Sequence, residues 1–170
     1  MKLDIIKKCK KIKVLLTDVD GVLTDGGMYY SIKGDALKKF YARDGMGVNI
    51  LLRNKIPTII VTKEKNMIIK KWAKKMNVNL VLDGVLKKED VIGKICKNYK
   101  IISDEIAFIG DDVNDLELMK KCGFSATPQD GIKDAISISN YHCKAKGGDG
   151  AFREVVDLII RAQFGSKKLY

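Results

Sequence analysis

At 170 residues and 46% hydrophobic composition, the chain can bury one sizeable core but is too short for two full domains, so a single domain over 1–170 is expected. Its formal charge of +11, from 32 basic and 21 acidic residues, favours anionic partners such as phosphorylated small molecules, nucleic acid or an acidic membrane surface, without choosing among them. No apolar stretch approaches the roughly 20 residues of a bilayer span, and residues 1–13 alternate apolar side chains with lysines instead of forming a signal-peptide core, so a cytoplasmic protein is expected.

In chain order, the apolar run 14–16 reads as a buried strand. Residues 26–41 read as a β-hairpin turning at Gly34-Asp35, and 48–53 as helical. A second buried strand is expected at Thr58–Val61. In the helix expected over 66–76, Ile68, Ile69, Trp72 and Met76 form the apolar side and Lys70, Lys71, Lys74 and Lys75 the solvated one. Leu80–Leu82 and Ile106–Ile109 are further strands, each followed by a helical stretch, 88–99 and 114–122. The glycines of 146–150 suit a loop that approaches other backbone closely, and 151–162 returns to helical period. Strands alternating with helices define the fold class as α/β, a doubly wound, Rossmann-like parallel sheet with a small hairpin flap.

The four cysteines, Cys9, Cys96, Cys122 and Cys143, are widely spaced and suggest neither a zinc site nor a disulfide framework. With His142 the single histidine, read as a strand-end residue, chemistry falls to carboxylates, Thr and Lys. The strand at 14–16 runs into Thr17-Asp18-Val19-Asp20-Gly21, placing two carboxylates past a strand's carboxyl end, where open α/β sheets bind ligands. Like charges at such spacing are costly unless a cation offsets them. The next strands end at Thr62, at Gly84 ahead of Lys88, and at Gly110-Asp111-Asp112-Val113-Asn114-Asp115. A parallel sheet delivers all of these to one edge, where they converge with Asp18 and Asp20.

This ordered set resembles the haloacid dehalogenase superfamily of aspartate-nucleophile phosphotransferases, through Asp18-Val19-Asp20-Gly21, Thr62, Lys88 and the run from Gly110 to Asp115. The resemblance implies Asp18 as nucleophile, Asp20 as acid and base, and Thr62 and Lys88 against the phosphoryl oxygens. It also implies Mg2+ held by Asp18, the Asp20 carbonyl and Asp111, with Asp112 and Asp115 in support. The stretches between Asp20 and Thr62 and between Thr62 and Lys88 are too short for the cap domains common in that superfamily. Within it, the chain most resembles capless, tetrameric phosphatases of the 3-deoxy-D-manno-octulosonate 8-phosphate type. The shared pieces are Asp18 through Gly26, Phe40-Tyr41-Ala42-Arg43-Asp44-Gly45-Met46-Gly47, and Gly147-Gly148-Asp149-Gly150-Ala151-Phe152-Arg153-Glu154. In such relatives the hairpin of one subunit and the C-terminal region of a neighbour shape the site, which implies a homotetramer and makes Arg43, Lys146 and Arg153 substrate-contact candidates.

One departure bears on substrate. Thr62-Lys63-Glu64 stands where the octulosonate enzymes carry Thr-Gly-Arg, and Glu64 with Lys75 looks more like the nine-carbon, sialic-acid-type 9-phosphate phosphatases. The expected reaction is therefore Mg2+-dependent hydrolysis of an eight- or nine-carbon 2-keto-3-deoxy sugar-acid phosphate. A receiver-like phosphoacceptor has a different motif order, with its Lys last, whereas Lys88 precedes Asp111. A nucleic-acid end phosphatase would need stacking aromatics along its basic groove, and one Trp with scattered Tyr and Phe does not supply them.

Overall fold

The computed structural model describes residues 3–165; Met1, Lys2 and residues 166–170, the ends of the expected 1–170 domain, lie outside the described residues. Strand β1 (Val14–Thr17) leads to a hairpin of β2 (Tyr29–Ser31) and β3 (Gly34–Leu37), followed by β4 (Thr58–Val61), β5 (Leu80–Leu82), β6 (Ile106–Ile109), β7 (Phe124–Thr127) and β8 (Tyr141–His142). The helices are α1 (Leu3–Lys11), α2 (Ala42–Arg53), α3 (Met67–Met76), α4 (Val91–Tyr99), α5 (Leu116–Lys121), α6 (Lys133–Ile138) and α7 (Ala151–Phe164).

The main sheet has six strands in the order β5-β4-β1-β6-β7-β8, and every pairing in it is parallel. The order reverses direction about β1, so the crevice between the carboxyl ends of β1 and its neighbours is a topological switch point. Helices cover both faces, and β1, β4, β6 and β7 are buried along their whole length. Successive side chains serve opposite layers. Leu15 packs with Ile5, Leu51, Ile69, Phe152 and Ile160 beneath α1, α2, α3 and α7, whereas Val14 and Leu16 pack with Ile95, Leu118 and Ala135 beneath α4, α5 and α6.

Every strand and helix expected from the sequence is present; β4, β5 and β6 have the expected ends, and the others shift. Helix α2 begins earlier than expected, at Ala42, and the two helices expected after β5 and β6 each open with a 3-10 turn, Lys88–Asp90 and Val113–Asp115. The hairpin turn is corrected by the pairing. Ser31 faces Gly34, so the turn is Ile32-Lys33, and Gly34 at φ +100° opens the return strand. Asp35 thereby sits within β3 and not in the turn. Three elements had no expectation, α1, β7 and α6, whereas β8 ends at His142, as the strand-end reading of that residue expected. Only the hairpin and α2 lie between β1 and β4, and only α3 between β4 and β5, so among the described residues no cap covers the carboxyl edge of the sheet. Among the described residues, no helix is long and apolar enough to cross a membrane.

Candidate active site

The carboxyl ends of β1, β4 and β6 open into a cleft of about 190 Å³ lined by Asp18, Asp20, Thr62, Glu64, Asp111 and Asp112, with Asp35 and Lys38 of the hairpin side. Asp18 follows β1 directly, and its backbone N–H donates to Ile109 O of β6 at 3.0 Å, which locks the loop to the sheet. The next turn depends on Gly21, at φ +81°, where any Cβ would collide with Asp111 Oδ2. A second glycine seals it from outside. A Cβ on Gly147 would run into the Gly21 carbonyl, so the 146–150 loop lies directly on the Asp18–Gly21 turn, as its glycines suggested.

Below the cleft, Lys88 is wholly buried and its Nζ lies 2.8 Å from Asp18 Oδ2 and 2.6 Å from Asp115 Oδ1. The other oxygen of Asp115 accepts from the backbone N–H groups of Asp111 and Asp112 at 2.9 and 3.3 Å. Asp115 thus holds both Lys88 and the loop carrying Asp111. Burial works against the Lys88 charge, but the two carboxylates outweigh it and raise its pKa above the ordinary lysine value. Burial, with the charge of Asp115, pushes the Asp18 carboxyl up to about 7 against the pull of Lys88. Asp111 is pushed up to about 8 by burial and by the charges of Asp18 and Asp115.

Oxygens of Asp18, Asp111 and Asp115 lie within 4.8 Å of one another, the spacing of ligands around one cation. Asp115 is already committed to Lys88 and two backbone donors. Asp111 Oδ1 is buried without a hydrogen-bond partner, and a hard divalent cation is the partner that an all-carboxylate set of this kind suits. The residues present therefore fit Mg2+, with Asp18 and Asp111 as its carboxylates.

The remaining candidates divide. Thr62 is buried at the cleft wall, and its Oγ1 accepts from Glu64 N at 3.2 Å, a turn that carries the Glu64 side chain into the lining. Lys63, which replaces a glycine of the relatives' motif, has no positive φ, so the backbone there does not require glycine. Asp112 caps the following 3-10 turn through Val113 N at 2.7 Å. Lys75 is exposed on α3 and makes no ion pair with Glu64. Arg43 and Arg153 line a separate cavity of about 390 Å³ with Tyr41, Tyr141 and Arg161, and exposed Lys146 lines neither cavity. Within one chain these three cations are not brought to Asp18. The site residue that sequence reasoning missed is Lys38, whose Nζ donates to Asp20 Oδ1 at 2.7 Å. No motif marks it; the signal lies in β3 returning beside the Asp20 turn.

Comparison with known proteins agrees with this geometry. Residues 48–154 match the haloacid dehalogenase-like hydrolase family. The chain is 34% identical over 160 residues to the 3-deoxy-D-manno-octulosonate 8-phosphate phosphatase of Haemophilus influenzae, covering 92% of this chain and 87% of that protein. The crystal structure of the phosphatase of that name from Yersinia pestis superposes with a TM-score of 0.95 at 30% identity, over 98% of this chain and 90% of that one. Its counterpart from Moraxella catarrhalis, in complex with a magnesium ion, a phosphate ion and a KDO molecule, superposes with a TM-score of 0.92 at 32% identity, over 96% and 94%. A family match across more than half the chain, and relatives matched along nearly their full length, agree with the carboxylate and lysine arrangement at the sheet edge: the chain belongs to the haloacid dehalogenase-like hydrolases, as one of their phosphatases.

Proposed function

We propose that the chain is a single-domain, Mg2+-dependent phosphatase of a 2-keto-3-deoxy sugar-acid phosphate, acting through an aspartyl-phosphate on Asp18. The observation that carries this reading is the buried Asp18–Lys88–Asp115 chain beneath a cleft that also holds Asp20, Thr62 and Asp111. Asp18 attacks phosphorus; the bond to the leaving oxygen breaks with its electron pair on that oxygen, which takes a proton from Asp20. Water then attacks the phosphoryl group while giving a proton back to Asp20, and the Asp18–phosphorus bond breaks. Lys88 holds Asp18 in line and, with Thr62, offsets charge on the phosphoryl oxygens. Mg2+, held by Asp18, Asp111 and the Asp20 carbonyl, would neutralise charge as two anions approach.

The relatives are named for an eight-carbon substrate, whereas Glu64 in the cleft lining favours a nine-carbon acid. Phosphate release from eight- and nine-carbon keto-deoxy sugar-acid phosphates, with and without Mg2+, tests both readings. Multiple turnovers lost in Asp18→Asn are expected, and one phosphate per chain would overturn the enzymatic reading. Glu64→Arg should shift preference toward the eight-carbon ester.

We also read the protein as a homotetramer with sites at subunit boundaries. Met28, Tyr30, Ile32 and Leu37 project from the hairpin at 65% exposure or more, an apolar surface that suits a second copy. That arrangement supplies a role for Arg43, Lys146 and Arg153 at a neighbour's cleft. Ile32→Asp should lower the mass seen by sedimentation, and an unchanged mass would count against it. The four free cysteines fit a cytoplasmic setting.

A further inference from the structure

Almost all of the hairpin is open to solvent, with Tyr29–Ser31 exposed throughout and Ala36 and Leu37 exposed on the return strand. Lys38 departs from that pattern: its side chain is only 3% exposed, and its ammonium lies between two carboxylates, 2.7 Å from Asp20 Oδ1 and 3.4 Å from Asp35 Oδ2. Taking an ammonium out of water is costly unless it is paired, and an apolar side chain would anchor a hairpin as well. The placement therefore calls for a reason beyond folding.

The surrounding contacts form a chain from the body of the protein to the cleft. Asn66, which caps α3 by accepting from Ile68 N at 2.8 Å, donates its Nδ2 to Asp35 Oδ2 at 3.1 Å. Asp35 flanks Lys38, and Lys38 reaches Asp20. Behind Lys38, Phe40 stacks on Trp72 of α3 with ring centroids 4.5 Å apart, fixing the base of the hairpin. At the far end, both side-chain bonds to Asp20, from Lys38 and from Thr24 Oγ1 at 3.3 Å, fall on Oδ1. Oδ2 is left free of protein partners among the described residues.

We propose that Lys38 is a positioning residue for proton transfer at Asp20, holding Oδ1 so that Oδ2 meets the leaving oxygen of the phosphoester. The inference rests on the reading of Asp20 as acid and base given above. It makes the hairpin part of the catalytic apparatus of its own chain, separately from any role between subunits. No group is added to the reaction: the proton passes from Asp20 Oδ2 to the oxygen whose bond to phosphorus breaks.

The test uses two esters on the same protein preparation, the better of the eight- and nine-carbon sugar-acid phosphates and 4-nitrophenyl phosphate. A sugar alkoxide needs the proton to depart, whereas 4-nitrophenolate does not, and kcat/KM reports the step in which either one leaves. Lys38→Met should lower kcat/KM about 30-fold on the sugar ester and about tenfold less than that on the aryl ester, within the range that general acid catalysis contributes. The ratio of the two losses is independent of how much of the variant is folded. Lys38→Arg should recover part of the sugar-ester loss, and adding Lys38→Met to Asp20→Asn should cost nothing further on that ester. Equal losses on both esters, or a raised KM with unchanged kcat, would overturn the proposal in favour of a structural or substrate-anchoring lysine. A parent enzyme that turns over neither ester would overturn the phosphatase reading itself, and the proposal with it.

Discussion

The ammonium of Lys88 stands 2.8 Å from Asp18 Oδ2 with no exposure to solvent, so the orientation of Asp18, the proposed nucleophile, is set from beneath by a charge that water cannot screen. Lys88 also touches Asp115, and its removal would leave two buried carboxylates facing each other. Lys88→Met should therefore lower kcat/KM by about 10² to 10³, the scale of losing one preorganised charge at a phosphoryl site. Lys88→Arg should fare little better, because a wholly buried pocket has no room for the larger planar head. Steady-state kinetics on any ester the parent hydrolyses checks both, and a variant within about threefold of the parent would refute the assignment.

Magnesium binding should be proton-linked. Burial and neighbouring carboxylates push Asp18 up to about 7 and Asp111 up to about 8 in the absence of metal, and a cation binds only their ionised forms. Apparent Mg2+ affinity should then rise from pH 6 and level off above pH 8. Calorimetry in buffers of different ionisation enthalpy should detect about one to two protons released per Mg2+ at pH 6.5. Affinity independent of pH, or binding without proton release, would show that these carboxyls are ionised before the metal arrives.

How much of this was legible in the sequence follows from what each residue depends on. Asp18, Thr62 and Asp111 need only the rule that a parallel sheet presents its strand ends on one edge, and the apolar runs before them mark those strands. Lys38 depends on a hairpin whose turn falls at Ile32-Lys33, two residues before the Gly34-Asp35 pair that looks like a turn, and no periodic pattern reports which way a short exposed strand faces. Strand β7 escaped notice because Phe124-Ser125-Ala126-Thr127 lacks a β-branched apolar run; its burial comes from lying between β6 and β8. Helix α1 was hidden by its lysines, although Ile5, Cys9 and Ile12 recur at helical spacing and are all buried. Arg43 and Arg153 come from family likeness alone, and one chain places them in a different cavity from Asp18.

Asp44 should make the fold less stable as pH rises. Its carboxyl joins α2 to the start of α7 by accepting from Arg153 N at 2.8 Å, while its Oδ2 is buried without a partner. Burial pushes it up to about 7, against the backbone bonds from Arg153 and Gly150. Since the unfolded carboxyl titrates at the ordinary value of 3.8, the folded state holds the proton more tightly. Stability from this group is complete below about pH 4 and is lost as pH rises to about 7, by something on the order of 4 kcal/mol. Asp44→Asn keeps an acceptor for Arg153 N and carries no charge. With saturating Mg2+ to silence Asp18 and Asp111, its melting temperature should match the parent below about pH 4, begin to exceed it by pH 5 and exceed it most at pH 8. A constant difference across that range would refute the titration.

Two glycine substitutions should move stability in opposite directions. A Cβ on Gly147 meets the Gly21 and Thr24 carbonyls, which are backbone atoms of the loop that carries Asp18 and Asp20, so Gly147→Ala must push the 146–150 loop or the Asp18–Gly21 turn aside. Backbone cannot yield as a flexible side chain does, and the cost should be about 1 to 3 kcal/mol, the scale of overpacking in a tight site. Activity should fall further than the folded fraction, because the displaced turn is the one that aims Asp18. On α4, a Cβ at Gly93 meets nothing within 4 Å, and Gly93→Ala should stabilise by up to about 1 kcal/mol through helix propensity with kcat unchanged. Chemical denaturation of both variants, with kcat measured on the same samples, separates the effects. A Gly147→Ala protein with parental kcat would mean that the glycine loop does not support the Asp18–Gly21 turn.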